Sequence, residues 1–209
     1  IIDPTFLRIK VECDVVFNFN ETTKDADDVK STVESAVTTF NTTNLAKFNK
    51  TFRQSQLVEK VNESDVSILS NTIKTKMIKT INPVPNQGYT NSVSFYQALK
   101  PDNPVTSAQG AYVSYSEPAI ESGAFTYDST SGATFRDDGT GALQIVVANT
   151  SALQILLANA GSVDYATGNV SFTNVTINAI ATGTGIKIFG HGTAADIAGK
   201  LNDVVEIKT

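Results

Sequence analysis

The chain has 209 residues and a formal net charge of −5. A neutral-to-acidic chain lacks the basic patch typical of proteins that bind nucleic acid or an anionic membrane surface, so we expect neither partner. Its only cysteine, Cys13, cannot form an internal disulfide or a cysteine-based metal site, and we expect it to act as a small buried hydrophobe.

No apolar run approaches the roughly 18 to 20 residues that span a bilayer, so no membrane segment is expected. The chain begins with Ile1, and its only methionine is Met77. We therefore expect it to be a piece of a longer protein.

The composition changes at Asn82. All 13 glycines and all 6 tyrosines follow that residue, whereas 22 of the charged side chains precede it. Pro83 and Pro85 form a stiff, non-helical connector at the same point. The change predicts two domains, residues 1–82 and 83–209.

The stretch 7–19 predicts one long, half-buried strand, because apolar and polar residues alternate along it. The apolar residues occupy the odd positions: Leu7, Ile9, Val11, Cys13, Val15, Phe17 and Phe19. The conformational entropy lost on ordering such a strand is not offset by the strand alone. An apolar element must therefore cover the odd face, so that its side chains are buried.

A helix that follows this strand is predicted to provide the cover. Thr22 or Thr23 supplies a capping hydroxyl, and Asp25, Asp27 and Asp28 suit the first turn of a helix. An apolar stripe then recurs at helical spacing: Val29, Val33, Ala36, Val37 and Phe40. After a break at residues 41–44, a second short helix is predicted to begin near Ser55.

Residues 65–81 fit two patterns. Leu69, Ile73 and Met77 are four apart, as on one face of a helix, but they are also all odd, as on one face of a strand. The stretch is rich in Val, Ile, Ser and Thr, which favours a strand. The first domain is thus predicted to be strand, helix, helix, strand, with its two strands paired beneath the helices.

The second half predicts a mostly β domain, either a sandwich or a small irregular barrel, and the whole chain an α+β protein. Its short β-type runs lie between Gly, Asp and Asn turns: 93–99, 111–115, 124–127, 143–148, 153–157, 170–172, 175–180, 185–189 and 204–207. Residues 161–172 predict a hairpin in which Val163 and Tyr165 face Val170 and Phe172. Residues 193–199 predict one helical turn.

No catalytic or metal site is predicted. Asp137 and Asp138 precede a glycine as in a calcium loop, but Arg136 places a cation among the positions that need oxygen donors, which favours a polar turn. His191, the only histidine, lies between two glycines, and the chain has no nucleophile elbow. We expect no enzyme activity, no cofactor and no small-molecule substrate.

Four segments carry a family resemblance: residues 4–17 (PTFLRIKVECDVVF), 37–40 (VTTF), 52–57 (FRQSQL) and 67–73 (SILSNTI). With these segments the first 82 residues resemble the central module of the baseplate J-like family of contractile phage tails. The whole chain resembles the C-terminal part of the baseplate wedge proteins of T4-like phages, in which a glycine-rich β domain follows with phrases such as residues 162–168 (SVDYATG).

The resemblance implies a structural virion protein of a bacteriophage tail baseplate, made late and assembled in the host cytoplasm. Such subunits form homodimers or higher oligomers, build the ring around the tail hub and contact other wedge proteins. Candidate interface anchors are Phe95, Tyr96, Tyr112 and Tyr115, with core packing as the alternative for each.

Two alternatives remain open from the residues alone. The Thr, Asn and Tyr content of the second half suits a cell-surface adhesin or a carbohydrate-binding β-module. A tail-associated glycan hydrolase would need only paired carboxylates.

Overall fold

The computed structural model describes residues 5–101, 108–114, 117–180, 185–200 and 203–208, and strands predominate among them. The helices are α1 (Ala26–Phe40) and α2 (Gln54–Asn62). The strands are β1 (Thr5–Phe17), β2 (Thr51–Phe52), β3 (Ile68–Ile81), β4 (Gly88–Ser94), β5 (Tyr112–Val113), β6 (Ile120–Ser122), β7 (Phe125–Tyr127), β8 (Thr130–Asp137), β9 (Ala142–Ala148), β10 (Leu153–Asp164), β11 (Asn169–Thr176), β12 (Ala179–Ile180), β13 (Ile186–Gly190), β14 (Ile197–Ala198) and β15 (Asp203–Ile207).

The chain divides into two compact units. Unit 1 comprises Ile1–Lys76 and Ala194–Thr209, and unit 2 comprises Met77–Thr193. The division falls inside β3, which is the strand predicted in the ambiguous stretch 65–81. The strand interpretation of that stretch is confirmed.

In unit 1, β1 lies between β15 and β3. β15 runs parallel to β1 and pairs with it from Thr5 to Ile9. The strand predicted at 204–207 therefore pairs with the first strand of the chain rather than with the β-strands of the second half. Residues 193–199 hold β14, which pairs with β2, so the helical turn predicted there was wrong.

β1 ends two residues before the predicted strand does. Asn18 caps a short 3-10 turn, Phe19–Glu21, and its side-chain oxygen accepts the Asn20 N–H at 3.0 Å. Phe19 therefore leaves the strand and is 66% exposed. The remaining odd-numbered side chains are buried or half-buried, as the alternation predicts.

α1 begins after Asp25, whose carboxylate accepts the Asp28 N–H at 2.9 Å. The cap is thus this carboxylate and not a hydroxyl of Thr22 or Thr23. Four residues of the predicted stripe are buried: Val29, Val33, Val37 and Phe40. The break predicted at residues 41–44 was also wrong, because the helix continues through a π-helical segment, Asn41–Leu45.

The helices cover the sheet of unit 1 only in part. α2, which begins near the predicted Ser55, buries Leu57 and Val61, and the Phe40 and Phe52 rings meet edge to face at 6.3 Å. Between α1 and the odd face of β1 there remains a cavity of about 700 Å³. The odd face of β1 is fully covered at Leu7 and Ile9, which are 1% and 0% exposed. From Val11 to Phe17 the odd-numbered side chains are only half-buried, so the predicted cover is incomplete there.

An ion pair links the segment before α1 to the turn before β3. The Lys24 ammonium lies 2.7 Å from the Asp65 carboxylate, which also accepts bonds from the hydroxyl and the N–H of Ser67. Lys24 first, and then the two Ser67 donors, hold the pKa of Asp65 well below its usual range.

Unit 2 is an antiparallel sheet, and the prediction of a mostly β second half is confirmed. Its strands follow the order β3, β13, β6, β8, β9, β10, β11 and β4, with β5 beside β10 and with β7 beside β8 and β12. The predicted strand 93–99 lies earlier, at 88–94. The sequence did not reveal β6 and β8, because Gly132 and Asp137, which suggest turns, both lie within β8.

The β10–β11 hairpin forms as predicted, with one difference. Val163 faces Val170, but Phe172 lies opposite Gly161, and Tyr165 lies past the end of β10. Gly161 has a φ of +155°, and a Cβ there would overlap the carbonyl oxygen of the residue before Phe172. Glycine is thus required where the two backbones come closest.

Candidate interaction surface

The predicted interface aromatics occupy different environments. Phe95 is 0% exposed, and its ring lies against Gly190, where a Cβ would be 3.0 Å from the ring. Tyr96 and Tyr112 are 53% and 57% exposed. Tyr115 lies outside the described residues. Phe95 therefore belongs to the core, and two of the four aromatics are placed where a partner could reach them.

Tyr96 and Tyr112 do not form one surface. Tyr112 pairs with Gln154 at the start of β10, whereas Tyr96 follows Ser94, which pairs with the start of β11 at the far end of β10. Ten residues of strand separate these positions, which is roughly 30 Å at about 3.3 Å per residue. The two rings would therefore anchor two separate contacts.

Exposed apolar side chains concentrate at the far end of β1. The Asn18 N–H donates to the Ser67 carbonyl oxygen at 2.8 Å, so the end of β1, which holds Val16, lies beside the start of β3, which holds Leu69. Next to this pair in the chain are Phe19 and Val66. The four side chains are 58%, 63%, 66% and 87% exposed for Val16, Leu69, Phe19 and Val66. We call these four residues the tip surface.

The sequence contains an indication of this surface, an apolar residue at an even position of β1, which the regular alternation along the strand makes easy to overlook. Val16 follows four even positions of β1, 8 to 14, that all hold charged residues, and with Val15 and Phe17 it forms a continuous apolar run. Leu69 has the same parity in β3 as the buried Ile73 and Met77, yet it is 63% exposed. Apolar residues on both faces of a strand end are typical of a surface that another chain covers.

The acids of residues 137–141 build a buried network. Asp137 is 2% exposed and accepts the Ile120 N–H at 2.7 Å, the Gly139 N–H at 3.2 Å and the Tyr165 hydroxyl at 2.7 Å. Burial, and then the bond to Asp137, raise the pKa of Tyr165. The carboxylate thereby joins β6, β8 and the end of β10.

Asp138 folds the same turn. Its carboxylate accepts the N–H groups of Thr140 and Ala142, at 2.8 and 3.0 Å, and the Thr140 hydroxyl at 2.7 Å. The lone pairs of both acids are thus directed at protein donors, as expected for a structural turn. Among the described residues, no group of three or more His, Cys, Asp or Glu side chains is arranged to hold a metal ion.

His191 directly follows β13 and lies between two glycines. Its Nε2 atom is 3.8 Å from a carboxylate oxygen of Glu121. Its backbone N–H donates to the Ala119 carbonyl oxygen at 2.9 Å, and its carbonyl oxygen accepts the Lys100 N–H at 2.9 Å. No described helix is long and apolar enough to cross a membrane.

Two features of the described residues bear on the class of protein. Unit 1 combines a half-covered strand with the tip surface, and the buried acids of unit 2 are used up in structural hydrogen bonds. These features are typical of proteins that work by contact with other chains.

Residues 5–80 match the family model described as baseplate structural protein gp6, C-terminal domain III. The matched segment contains β1, both helices and the tip surface. A search of curated proteins gave no match. The family match supports a structural role in a phage baseplate, and with it a place in the tail of the virion.

Proposed function

We propose that this chain is a non-enzymatic component of a baseplate wedge, which self-associates to build the ring around the tail hub and contacts other wedge proteins. The observation that carries the proposal is the match of residues 5–80 to a baseplate structural protein. We extend it to membership of the baseplate J-like family, to the C-terminal part of the wedge protein, and to assembly in the host cytoplasm.

The tip surface is our proposed site of self-association. Full burial of an aliphatic or aromatic side chain contributes about 1.5 to 3 kcal/mol. Burial of the four side chains of the tip surface would therefore contribute several kcal/mol, which opposes the entropy lost on association. A stable interface also needs about 800 Å² per partner, which neighbouring polar residues of β1 and β3 would supply as a rim.

Tyr96 and Tyr112 are proposed anchors for separate contacts of unit 2 with neighbouring proteins. Tyrosine combines a large apolar ring with a polar end, and both rings are more than half exposed. The Lys79 ammonium lies 5.5 Å from the centroid of the Tyr96 ring, which restrains that ring before a partner binds.

The test of self-association is the solution mass of the chain over a concentration series. We expect the mass to rise above the 22.3 kDa of one chain. Val16→Glu and Leu69→Glu should hold the protein at the monomer mass, because each places a charge inside the contact. Val84→Glu is the matched control, since Val84 is also 56% exposed but lies in unit 2.

Two results would count against this proposal. One is a monomer at every concentration up to about 1 mM, where an interaction worth about 4 kcal/mol would be half formed. The other is an equal loss of self-association in Val84→Glu, which would mean that net charge rather than the tip surface controls the mass.

A further inference from the structure

β1 is longer than the strand that pairs with its outer side. β15 pairs with β1 only from Thr5 to Ile9, and the Lys208 N–H then donates to the Ile9 carbonyl oxygen at 2.8 Å. Beyond Ile9 no described strand lies on this side of β1. The last eight residues of the strand therefore have a partner strand on one side only.

The direction of the backbone groups identifies which residues of β1 have no described strand beside them. Successive residues of a strand point their N–H and C=O groups to opposite sides. The Asn18 N–H points toward β3, and the Ile9 carbonyl group points toward β15. The N–H and C=O groups of the odd-numbered residues therefore point toward the side of β15. The backbone groups of Val11, Cys13, Val15 and Phe17 form this open edge.

The open edge borders an apolar groove. The cavity of about 700 Å³ is lined on one side by the side chains of the open edge, on the other by α1, and at one end by Ile207 and Lys208. Val29 and Val33 form its helical wall. They are 2% and 7% exposed, so packing within unit 1 holds these side chains in place. A segment that continued the line of β15 would enter this groove.

The charges beside the open edge favour one kind of occupant. Glu12 and Asp14 project from the even face of β1, next to the place that an added strand would take. Glu12 already has the Lys10 ammonium at 2.7 Å and that of Lys76 at 4.0 Å. Asp14 is exposed and makes no ion pair with a described residue. A basic side chain opposite Asp14 would complete a cross-strand pair.

The same charges disfavour a second copy of this edge as the occupant. Antiparallel pairing of two copies about Cys13 would put Glu12 opposite Asp14 twice, and pairing about Asp14 would put that acid opposite itself. Like charges directly opposite each other destabilise a strand pair.

We propose that the open edge and its groove receive an extended segment of a neighbouring protein, with apolar side chains toward α1 and lysine or arginine on the other face. Binding adds a strand to unit 1 beyond the end of β15, with backbone bonds to the four odd-numbered residues. Occupation of the edge also removes the risk that an unpaired, apolar strand edge aggregates. The proposal rests on the proposed assembly role, for which it names a partner contact separate from the tip surface.

The test uses the full chain and two capped nine-residue peptides. In one peptide valine alternates with lysine, and in the other valine alternates with glutamate. Cys13 is the only cysteine and lies in the middle of the open edge, so the rate of its alkylation reports occupancy of the groove. Burial, and then the Asp14 charge, raise the pKa of the Cys13 thiol, so the reaction is run at about pH 9.

We expect the lysine peptide to bind, by fluorescence anisotropy, and to slow Cys13 alkylation at least tenfold at saturation. The glutamate peptide should bind more weakly. Asp14→Lys should lower the affinity for the lysine peptide about three- to tenfold and raise the affinity for the glutamate peptide. Asp128→Lys is the control for net charge, because Asp128 is an exposed acid of unit 2.

Backbone pairing is tested by Val15→Pro and by an N-methylated lysine peptide. The Val15 N–H belongs to the open edge, so proline there removes one bond to the peptide and none to β3. Both changes should weaken binding at least tenfold. The N-methylated peptide leaves the protein unaltered, so this arm holds even if Val15→Pro fails to fold.

Three outcomes would overturn the proposal: no protection of Cys13 by the lysine peptide, equal affinity for the two peptides, or protection that rises with protein concentration alone. The last would identify a second copy as the occupant. Loss of this binding with self-association intact would refute the groove only, whereas a strict monomer that still binds the peptide would refute the proposed self-association only.

Discussion

Replacement of Tyr165 by phenylalanine tests whether the buried network holds unit 2 together. The substitution removes only the hydroxyl, whose bond to Asp137 is 2.7 Å long. A hydrogen bond to a charged group contributes about 1.5 to 3 kcal/mol, and the ring keeps its packing. Since two backbone N–H groups still reach Asp137, the variant should fold. At roughly 2 to 4 °C per kcal/mol, the melting temperature should fall by about 3 to 12 °C.

The effect should depend on pH in a defined direction. The pKa of Tyr165 is raised in the folded protein, above an unfolded value of about 10. A raised pKa contributes stability that is complete below the unfolded value and is lost as the pH rises toward the folded one. The difference in stability between the wild type and Tyr165→Phe should thus be constant to about pH 9.5 and shrink above it.

Chemical and thermal unfolding, followed by circular dichroism from pH 6 to 11, would measure both effects. Tyr127→Phe is the matched control, because the Tyr127 ring is half-buried and its hydroxyl makes no hydrogen bond with a described residue. It should change the stability by less than about 0.5 kcal/mol. Equal effects of the two substitutions, or a Tyr165→Phe effect that does not vary above pH 10, would refute this account of the network.

Three further substitutions test other parts of the fold, each by denaturant unfolding. Asp25→Ala removes the α1 cap and should cost about 1 kcal/mol, whereas Thr23→Ala should cost much less; equal costs would contradict the cap assignment. Asp65→Asn should lower stability at pH 5 to 7, and because the folded pKa of Asp65 is depressed, the loss should fade below about pH 4, where a constant difference would argue against the ion pair. Gly161→Ala should destabilise by about 3 kcal/mol or more, since its Cβ overlaps backbone, while Gly132→Ala at φ +79° in open space should cost about 1 to 2 kcal/mol; similar costs would show that the β10–β11 approach is looser than described.

Most helices and long strands of unit 1 could be predicted from the local periodicity of the sequence. The alternation in β1, the α1 stripe and the β-branched content of β3 are properties of neighbouring residues, and each element lies within a few residues of its predicted place. The parallel partner of β1 could not be predicted in the same way. β15 lies almost 200 residues away in the chain, and nothing local to Val204 or Val205 specifies which strand it joins.

Turn chemistry was less reliable in unit 2. Gly132 suggested a turn, yet it adopts its positive φ inside β8, next to the pairing with β7. Asp137 suggested a polar turn, yet it is buried, because Ile120 and Tyr165, which are distant in sequence, donate to it. A glycine or an acid shows a local preference, whereas its burial depends on donors that only the fold brings together.

The candidate surface was concealed for a related reason. Alternation identifies which residues of β1 face α1, but it does not report how far the cover extends. Leu7 and Ile9 are fully buried, while the odd-numbered residues from Val11 onward are only half-buried and Val16 is exposed on the opposite face. The far half of this strand thus has apolar side chains on both faces and, among the described residues, a partner strand on one side only. Contacts within the described chain do not satisfy that half of β1, and a contact from a neighbouring chain would.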